Sequence, residues 1–299
     1  GKGVPGVLIS DGAEFAKTNS DGIYQLKSEK KWKYVFMVIP SGYEVPSQGI
    51  LPSFHMPLTQ DAAIPERKDF ELIKTDNDNF TLFVLGDMHL ANRNEDIKQF
   101  NEFAKTLNTS LATATKPYVL TLGDMTWDLY WYSNKYEFPQ YLSTANANYS
   151  NVLFFHTMGN HDNDMNSVGD YNKAFQYTRD IAPTYYSYNL GQIHFVVLDN
   201  IDYNNVGTGA DLRSEYKRNF TAEQMAWLAK DLSYVDSSTP VFISSHAPLS
   251  TPSGATGWNN NYLNGADSAG EANLSEFQNA VQGYNVHFLS GHTHNVFNR

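Results

Sequence analysis

Five short polar clusters in this sequence carry side chains able to bind cations: Gly86-Asp87-Met88-His89, Gly123-Asp124-Met125-Thr126, Gly159-Asn160-His161-Asp162, Ser244-Ser245-His246 and Gly291-His292-Thr293-His294. Imidazole and carboxylate donors suit divalent first-row metals such as zinc, iron or manganese, and with no cysteine in the chain every ligand must be nitrogen or oxygen. Asp87, His89, Asp124, Asn160, His246, His292 and His294 supply seven donors, too many for one ion and suited to two. A lone Gly-Asp is ordinarily a turn, and a lone histidine is ordinarily a surface or core residue. What raises these clusters above that background is that each follows an expected strand. His55, His156, His194 and His287 lie outside the clusters and read as structural.

The elements that must position the clusters follow from apolar periodicity. Residues 80–85 read as a buried strand, 95–111 as an amphipathic helix and 118–122 as a second strand. The alternation continues with strands at 152–157 and 193–198, a helix around 168–177, and a helix opened by Thr221-Ala222-Glu223-Gln224. A strand at 241–245, a helix near 271–282 and a strand at 286–290 complete the series. Apolar strands alternating with helices imply a largely parallel sheet, or a pair of sheets, covered by helices. Ligands in such folds bind beyond the carboxyl ends of the strands, so the five clusters are expected to converge.

Residues 1–75 have a different texture, with short apolar runs separated by Asp11-Gly12 and Ser20-Asp21-Gly22, strands expected at 7–9, 23–26, 32–39 and 69–74, and a proline-marked loop over 41–65. This is the pattern of a small β-sandwich. The runs Gly6-Val7-Leu8-Ile9-Ser10-Asp11-Gly12 and Thr18-Asn19-Ser20-Asp21-Gly22-Ile23-Tyr24 resemble the transthyretin-like, carboxypeptidase-regulatory-like modules attached to exported bacterial proteins. The polar run Thr75-Asp76-Asn77-Asp78-Asn79 places the boundary, giving a module of residues 1–75 and an α/β domain of residues 76–299.

Across residues 80–294 the ordered motifs GDxH, GD, GNHD, a later His and GHxH resemble the calcineurin-like metallophosphoesterase superfamily. The resemblance implies a two-sheet α/β sandwich and metal-assisted hydrolysis of a phosphomonoester or phosphodiester. It implies one divalent ion on Asp87, His89 and His294, a second on Asn160, His246 and His292, and Asp124 bridging both. Such a pair lowers the pKa of a shared water toward ~7 and clamps the phosphoryl oxygens. By the same resemblance His161 lies over the substrate, and Asp162 is expected to orient its ring and keep it protonated. The second motif departs from the usual GDxxD, because Trp127 stands where the second Asp belongs. Trp127 together with His89 argues against the purple acid phosphatase branch. Only five residues follow His294, so the domain is expected to be truncated at its carboxyl end.

Substrate contacts have weaker sequence support. Trp127 begins an aromatic run with Tyr130, Trp131, Tyr132 and Tyr136 that packing alone can explain, and Trp258, Asn259 and Asn260 lie in a long loop near a ligand motif. The alternative readings are a metal-binding scaffold without activity, or a hydrolase of a nucleotide pyrophosphate or a sugar-phosphate diester. The net charge of −11 excludes a general nucleic-acid binder, and no apolar run approaches the ~20 residues of a membrane helix. A small phosphoester is therefore the expected partner, with oligomeric state left open. The N-terminal resemblance and the absence of an initiator Met lead us to expect export, to a periplasm or cell surface.

Overall fold

A computed structural model describes residues 2–206, 213–249, 263 and 274–295. The first part of the chain contributes β1 (Leu8–Ser10), β2 (Phe15–Lys17), β3 (Tyr34–Met37), β4 (Tyr43–Glu44), β5 (Ser47–Gln48), β6 (Leu51–Pro52), β7 (His55–Pro57) and β8 (Ile73–Lys74). The order β2-β1-β3-β7 forms an antiparallel four-stranded sheet, and β4–β8 and β5–β6 form two ribbons. Two expectations are corrected here. The segment 23–26 forms no strand, because the Asn19 side chain takes the amides of Asp21 and Ile23 into a local turn and Ile23 faces solvent. The proline-marked segment 41–65 carries four short strands, and Pro57 is tolerated because β7 is an edge strand.

The second part runs β9 (Thr81–Leu85), α1 (Asp96–Thr113), β10 (Pro117–Thr121), α2 (Trp131–Asn134), α3 (Phe138–Asn148), β11 (Leu153–His156), α4 (Asp170–Lys173) and α5 (Phe175–Asp180). It continues with β12 (Tyr186–Leu190), β13 (Ile193–Val197), β14 (Ile201–Val206), β15 (Arg213–Arg218), α6 (Ala222–Leu232), β16 (Pro240–Ser244), α7 (Leu274–Ala280) and β17 (Asn285–Leu289). Two sheets result, a parallel β11-β10-β9 and a mixed β12-β13-β16-β17 in which only β12 is antiparallel. This is the two-sheet α/β architecture expected. The strand β9 is less buried than its apolar composition predicts, with Val84 42% exposed, because it is the edge strand of its sheet among the described residues. The helix expected around 168–177 is broken at Ala174 into α4 and α5, and the hairpin β14–β15 was not foreseen.

Helix α6 shows how local sequence sets an element. The Thr221 hydroxyl caps it by accepting from the Gln224 amide at 3.2 Å, and the buried face presents Met225, Trp227, Leu228 and Leu232. That face meets the N-terminal sheet. Trp227, 1% exposed, packs on Phe15 and Phe36 and donates its Nε1–H to Ser10 Oγ at 3.1 Å. Tyr185 Oη donates to the Gly12 carbonyl at 2.6 Å, the Phe154 amide donates to the Ile50 carbonyl at 2.8 Å, and Phe54 lies against Tyr186. The N-terminal strands and the α/β region therefore share one continuous buried core. Among the described residues no helix is long and apolar enough to cross a membrane.

Candidate metal centre

Every chemistry-bearing cluster sits just past the carboxyl end of a strand: Asp87 and His89 after β9, Asp124 after β10, Asn160 and His161 after β11, His246 after β16, and His292 and His294 after β17. The turns that present them are strained. Asp87, His89, Asp124, His292 and His294 all hold positive φ, between 47° and 71°, a conformation that costs a non-glycine residue roughly 1–3 kcal/mol. Backbone pairing between the turns over-determines them. The Asp87 amide donates to the Gly123 carbonyl at 3.1 Å, the His89 amide to the Asp124 carbonyl at 2.8 Å, and the Gly291 amide to the His246 carbonyl at 2.9 Å. Close approach explains the glycines. A Cβ on Gly123 (φ 92°) would lie 2.5 Å from His246 Nδ1, and one on Gly159 would lie 2.3 Å from Asp124 Oδ1.

The side chains converge as expected. Among the described residues the donor atoms of Asp87, His89 and His294, of His89, Asp124 and His161, and of Asp124, His246 and His292 form three groups, each with its atoms within 4.8 Å of one another. His89 Nε2 lies 3.0 Å from His294 Nε2 and 3.5 Å from Asp124 Oδ2. His246 Nε2 lies 3.2 Å from the same Asp124 oxygen, 3.0 Å from Asn160 Oδ1 and 3.2 Å from His292 Nδ1. All seven proposed donors, and His161, thus meet at one place. Asp124 and His89 each belong to two of these groups.

The donor chemistry fits a cation. Burial pushes His89 down to about 4 and His292 down to about 3, so both rings are neutral with lone pairs available. His246 is also buried, but the charge and hydrogen bond of Asp124 overcome that and lift it to about 9 without a cation. The same two contacts from His246 outweigh burial at Asp124 and hold its carboxyl low. Imidazole nitrogens facing one another at 3.0–3.2 Å require a proton or a cation between them. The buried His292 Nε2 and His89 Nδ1 have no hydrogen-bond partner, so no further hydrogen bond on those nitrogens fixes the tautomer.

The orientation of His161 departs from expectation. Asp162 does not touch the His161 ring. Fully buried, its carboxylate accepts from the amides of Gly159 at 3.0 Å, Thr126 at 2.9 Å and Met125 at 3.3 Å, and from the Thr126 hydroxyl at 3.1 Å. It therefore ties the turn after β11 to the turn after β10, because its side chain points back under the Gly159 turn. Its carboxyl is pushed up to about 7 by burial and by the charge of Asp124. The ring is held by Asp128, whose Oδ1 lies 2.8 Å from His161 Nδ1, while the His161 amide donates to Asp124 Oδ1 at 2.8 Å. Burial opposes the charged imidazolium, but the Asp128 hydrogen bond and three nearby carboxylates outweigh it and raise His161 above its ordinary value.

Asp128 was readable as the residue just after Trp127, one position beyond the second Asp of GDxxD. Tyr203, whose Oη donates to the carbonyls of Asn160 at 2.9 Å and Gly159 at 3.3 Å, carries no such signal. Trp127 borders the cluster, its ring 5.2 Å from His89 and 5.6 Å from His161, whereas Trp131 and Tyr136 are buried as packing. Trp258, Asn259 and Asn260 lie outside the described residues. His156 and His194 are buried in the core. With His55 and His287, they take no part in the donor groups.

Comparison with protein families places this geometry. The family model for the calcineurin-like phosphoesterase matches residues 80–296, and the model for the N terminal of calcineurin-like phosphoesterase matches residues 1–75. This chain belongs to the calcineurin-like phosphoesterase family. It is accordingly a metal-dependent hydrolase of phosphoric esters, and the family acts on small phosphoester substrates. Among solved structures it is similar to a dimetal phosphatase from Danio rerio, at 16% identity with a TM-score of 0.49, covering 72% of this chain and 82% of that one. It is also similar to PhoD, at 12% identity with a TM-score of 0.47, covering 96% of this chain and 64% of that one. No curated protein sequence matched. The side chains that converge in this calcineurin-like phosphoesterase lie at strand ends and depend on the sheets for their registration.

Proposed function

We propose that the chain hydrolyses a phosphomonoester or phosphodiester with a pair of divalent cations. Asp87, His89 and His294 would hold one, Asn160, His246 and His292 the other, with Asp124 shared. The observation that carries this reading is the meeting of donors from five strand ends, with Asp124 Oδ2 within 3.5 Å of both His89 and His246. Bound there, the cations would supply Lewis-acid polarisation of the phosphoryl oxygens and would acidify water.

The chain's own residues do the remainder. Asp128 holds His161 Nδ1, which leaves Nε2 to hydrogen-bond the phosphoryl group or give a proton to the departing oxygen. Asp162 and Tyr203 fix the turn that carries His161, and Trp127 walls the site beside His89. Nothing requires a covalent enzyme intermediate. The division into a module of residues 1–75 and an enzyme domain of residues 76–299 belongs to this reading and is supported by the two family matches.

The test is reconstitution of purified protein with manganese or zinc, with metal content measured by mass spectrometry and turnover on a panel of p-nitrophenyl monoesters and diesters. We expect two equivalents of metal and metal-dependent turnover in the wild type, and loss of both in Asp124→Asn. One equivalent at saturation, or turnover unaffected by chelation, would overturn the dinuclear reading.

A further inference from the structure

Among the described residues, two arginines lie near the cluster and differ in what holds them. Arg93 is committed to protein partners: its Nη2 donates to the His89 carbonyl at 3.1 Å, its Nε lies 3.3 Å from Asp96 Oδ2, and its guanidinium stacks 4.4 Å from the Trp127 ring centre. Arg218, at the end of β15, is only 9% exposed, yet its Nε has no hydrogen-bond partner. Its guanidinium lies 5.5 Å from the Tyr216 ring, and that ring meets His292 edge-on at 6.3 Å. The electrostatics agree with this placement. Behind burial, and after His246 and Asp124, the Arg218 charge acts on His292, while burial raises Tyr216 against the charge and hydrogen bond of Arg218, which leaves Nε as the open donor.

A buried guanidinium with an open donor is expensive, because desolvation is not recovered until an acceptor arrives. Its planar fork matches phosphoryl oxygens, and the Tyr216 ring it packs on is the one that meets His292, a proposed ligand. We propose that Arg218 is a substrate-binding residue that takes a non-bridging oxygen of the phosphoryl group on the His292 side, favouring the dianion of a phosphomonoester over the monoanion of a diester. This deepens the proposed function and rests on it. A monoester phosphoryl group carries roughly −1.5 to −2 charge and three non-bridging oxygens. A diester offers one charge and two such oxygens, so it has less to lose when the cation is removed.

The experiment uses the full chain loaded with manganese, as wild type, Arg218→Gln and Arg218→Lys. It reads kcat/KM on p-nitrophenyl phosphate and on bis(p-nitrophenyl) phosphate, Ki for inorganic phosphate, and the rise in Tm produced by inorganic phosphate. In Arg218→Gln we expect phosphate affinity and monoester kcat/KM to fall roughly 10- to 100-fold, the loss ordinary for one charge-assisted hydrogen bond. Diester kcat/KM should fall less than about 3-fold, and Arg218→Lys should lie between. Unchanged phosphate affinity, equal losses on both esters, or a wild type that prefers the diester overturns the assignment. Should the Gln variant not fold, the Lys variant decides on the same criteria. A metal-loaded wild type that turns over neither ester overturns the hydrolase reading itself, a result distinct from an active wild type with an indifferent Arg218.

Discussion

At the scale of single residues, the division of labour between two neighbouring carboxylates is the main finding. Asp128 faces the His161 ring and Asp162 faces backbone amides, so the same functional group serves proton placement in one case and loop geometry in the other. Asp128→Asn should lower kcat about 10- to 100-fold on an alkyl phosphate, whose departing oxygen needs a proton. It should lower kcat much less on p-nitrophenyl phosphate, whose departing oxygen is already stable as an anion. Equal losses on the two esters would mean that Asp128 only supports the fold. The side chains that converge were legible from residue type and order, since each of the motifs, GNHD and GHTH among them, closely follows a strand. The position of Asp128 beside Trp127 was readable but its role was not, because which carboxylate meets the His161 ring is decided by the course of the backbone through Trp127 into the turn at residues 128–130. Arg218 was not legible either. Nothing local distinguishes a buried arginine on a hairpin from an exposed one.

At the scale of elements, the parallel strands were legible because their residues are continuous apolar runs, and their observed bounds fall within a residue or two of expectation. The N-terminal strands were less so. Strands of two to four residues carry little periodic signal, and the turn at Asn19 overrode the β-propensity of Ile23 and Tyr24. The strand β11 offers a test of how burial is tolerated. His156 is 1% exposed, its Nε2 lies 3.0 Å from Tyr141 Oη, and burial holds its pKa down to about 3. The unfolded chain, with an ordinary histidine near 6.5, therefore takes up a proton on acidification that the folded chain refuses. Stability falls as pH drops below about 6.5, by up to ~1.4 kcal/mol per unit, and the loss ends only below the folded value. His156→Gln should thus lose about 2 kcal/mol less stability than wild type between pH 7 and pH 5, measured by urea unfolding. An identical loss would place the titration elsewhere.

At the scale of the whole molecule, the N-terminal strands are part of the structural core. Trp227 of α6 reaches Ser10, Phe15 and Phe36, and its loss would leave a cavity shared by both regions. Trp227→Ala is expected to cost about 3–5 kcal/mol and lower Tm markedly, with metal-dependent turnover retained at temperatures below the new transition. Separate unfolding transitions for the two regions in the wild type, or an unchanged Tm in the variant, would contradict a common core.

The dispersal of the donors along the chain has a consequence for biogenesis. His294 stands 207 positions after Asp87, and no stretch between two adjacent strands holds a complete set of donors for either of the two proposed ions. On the proposed assignment, a nascent polypeptide has no high-affinity grip on a transition metal until β17 has docked. Capture by a half-assembled site is thereby avoided, and uptake of the ions would report that the strands carrying the donors have come together.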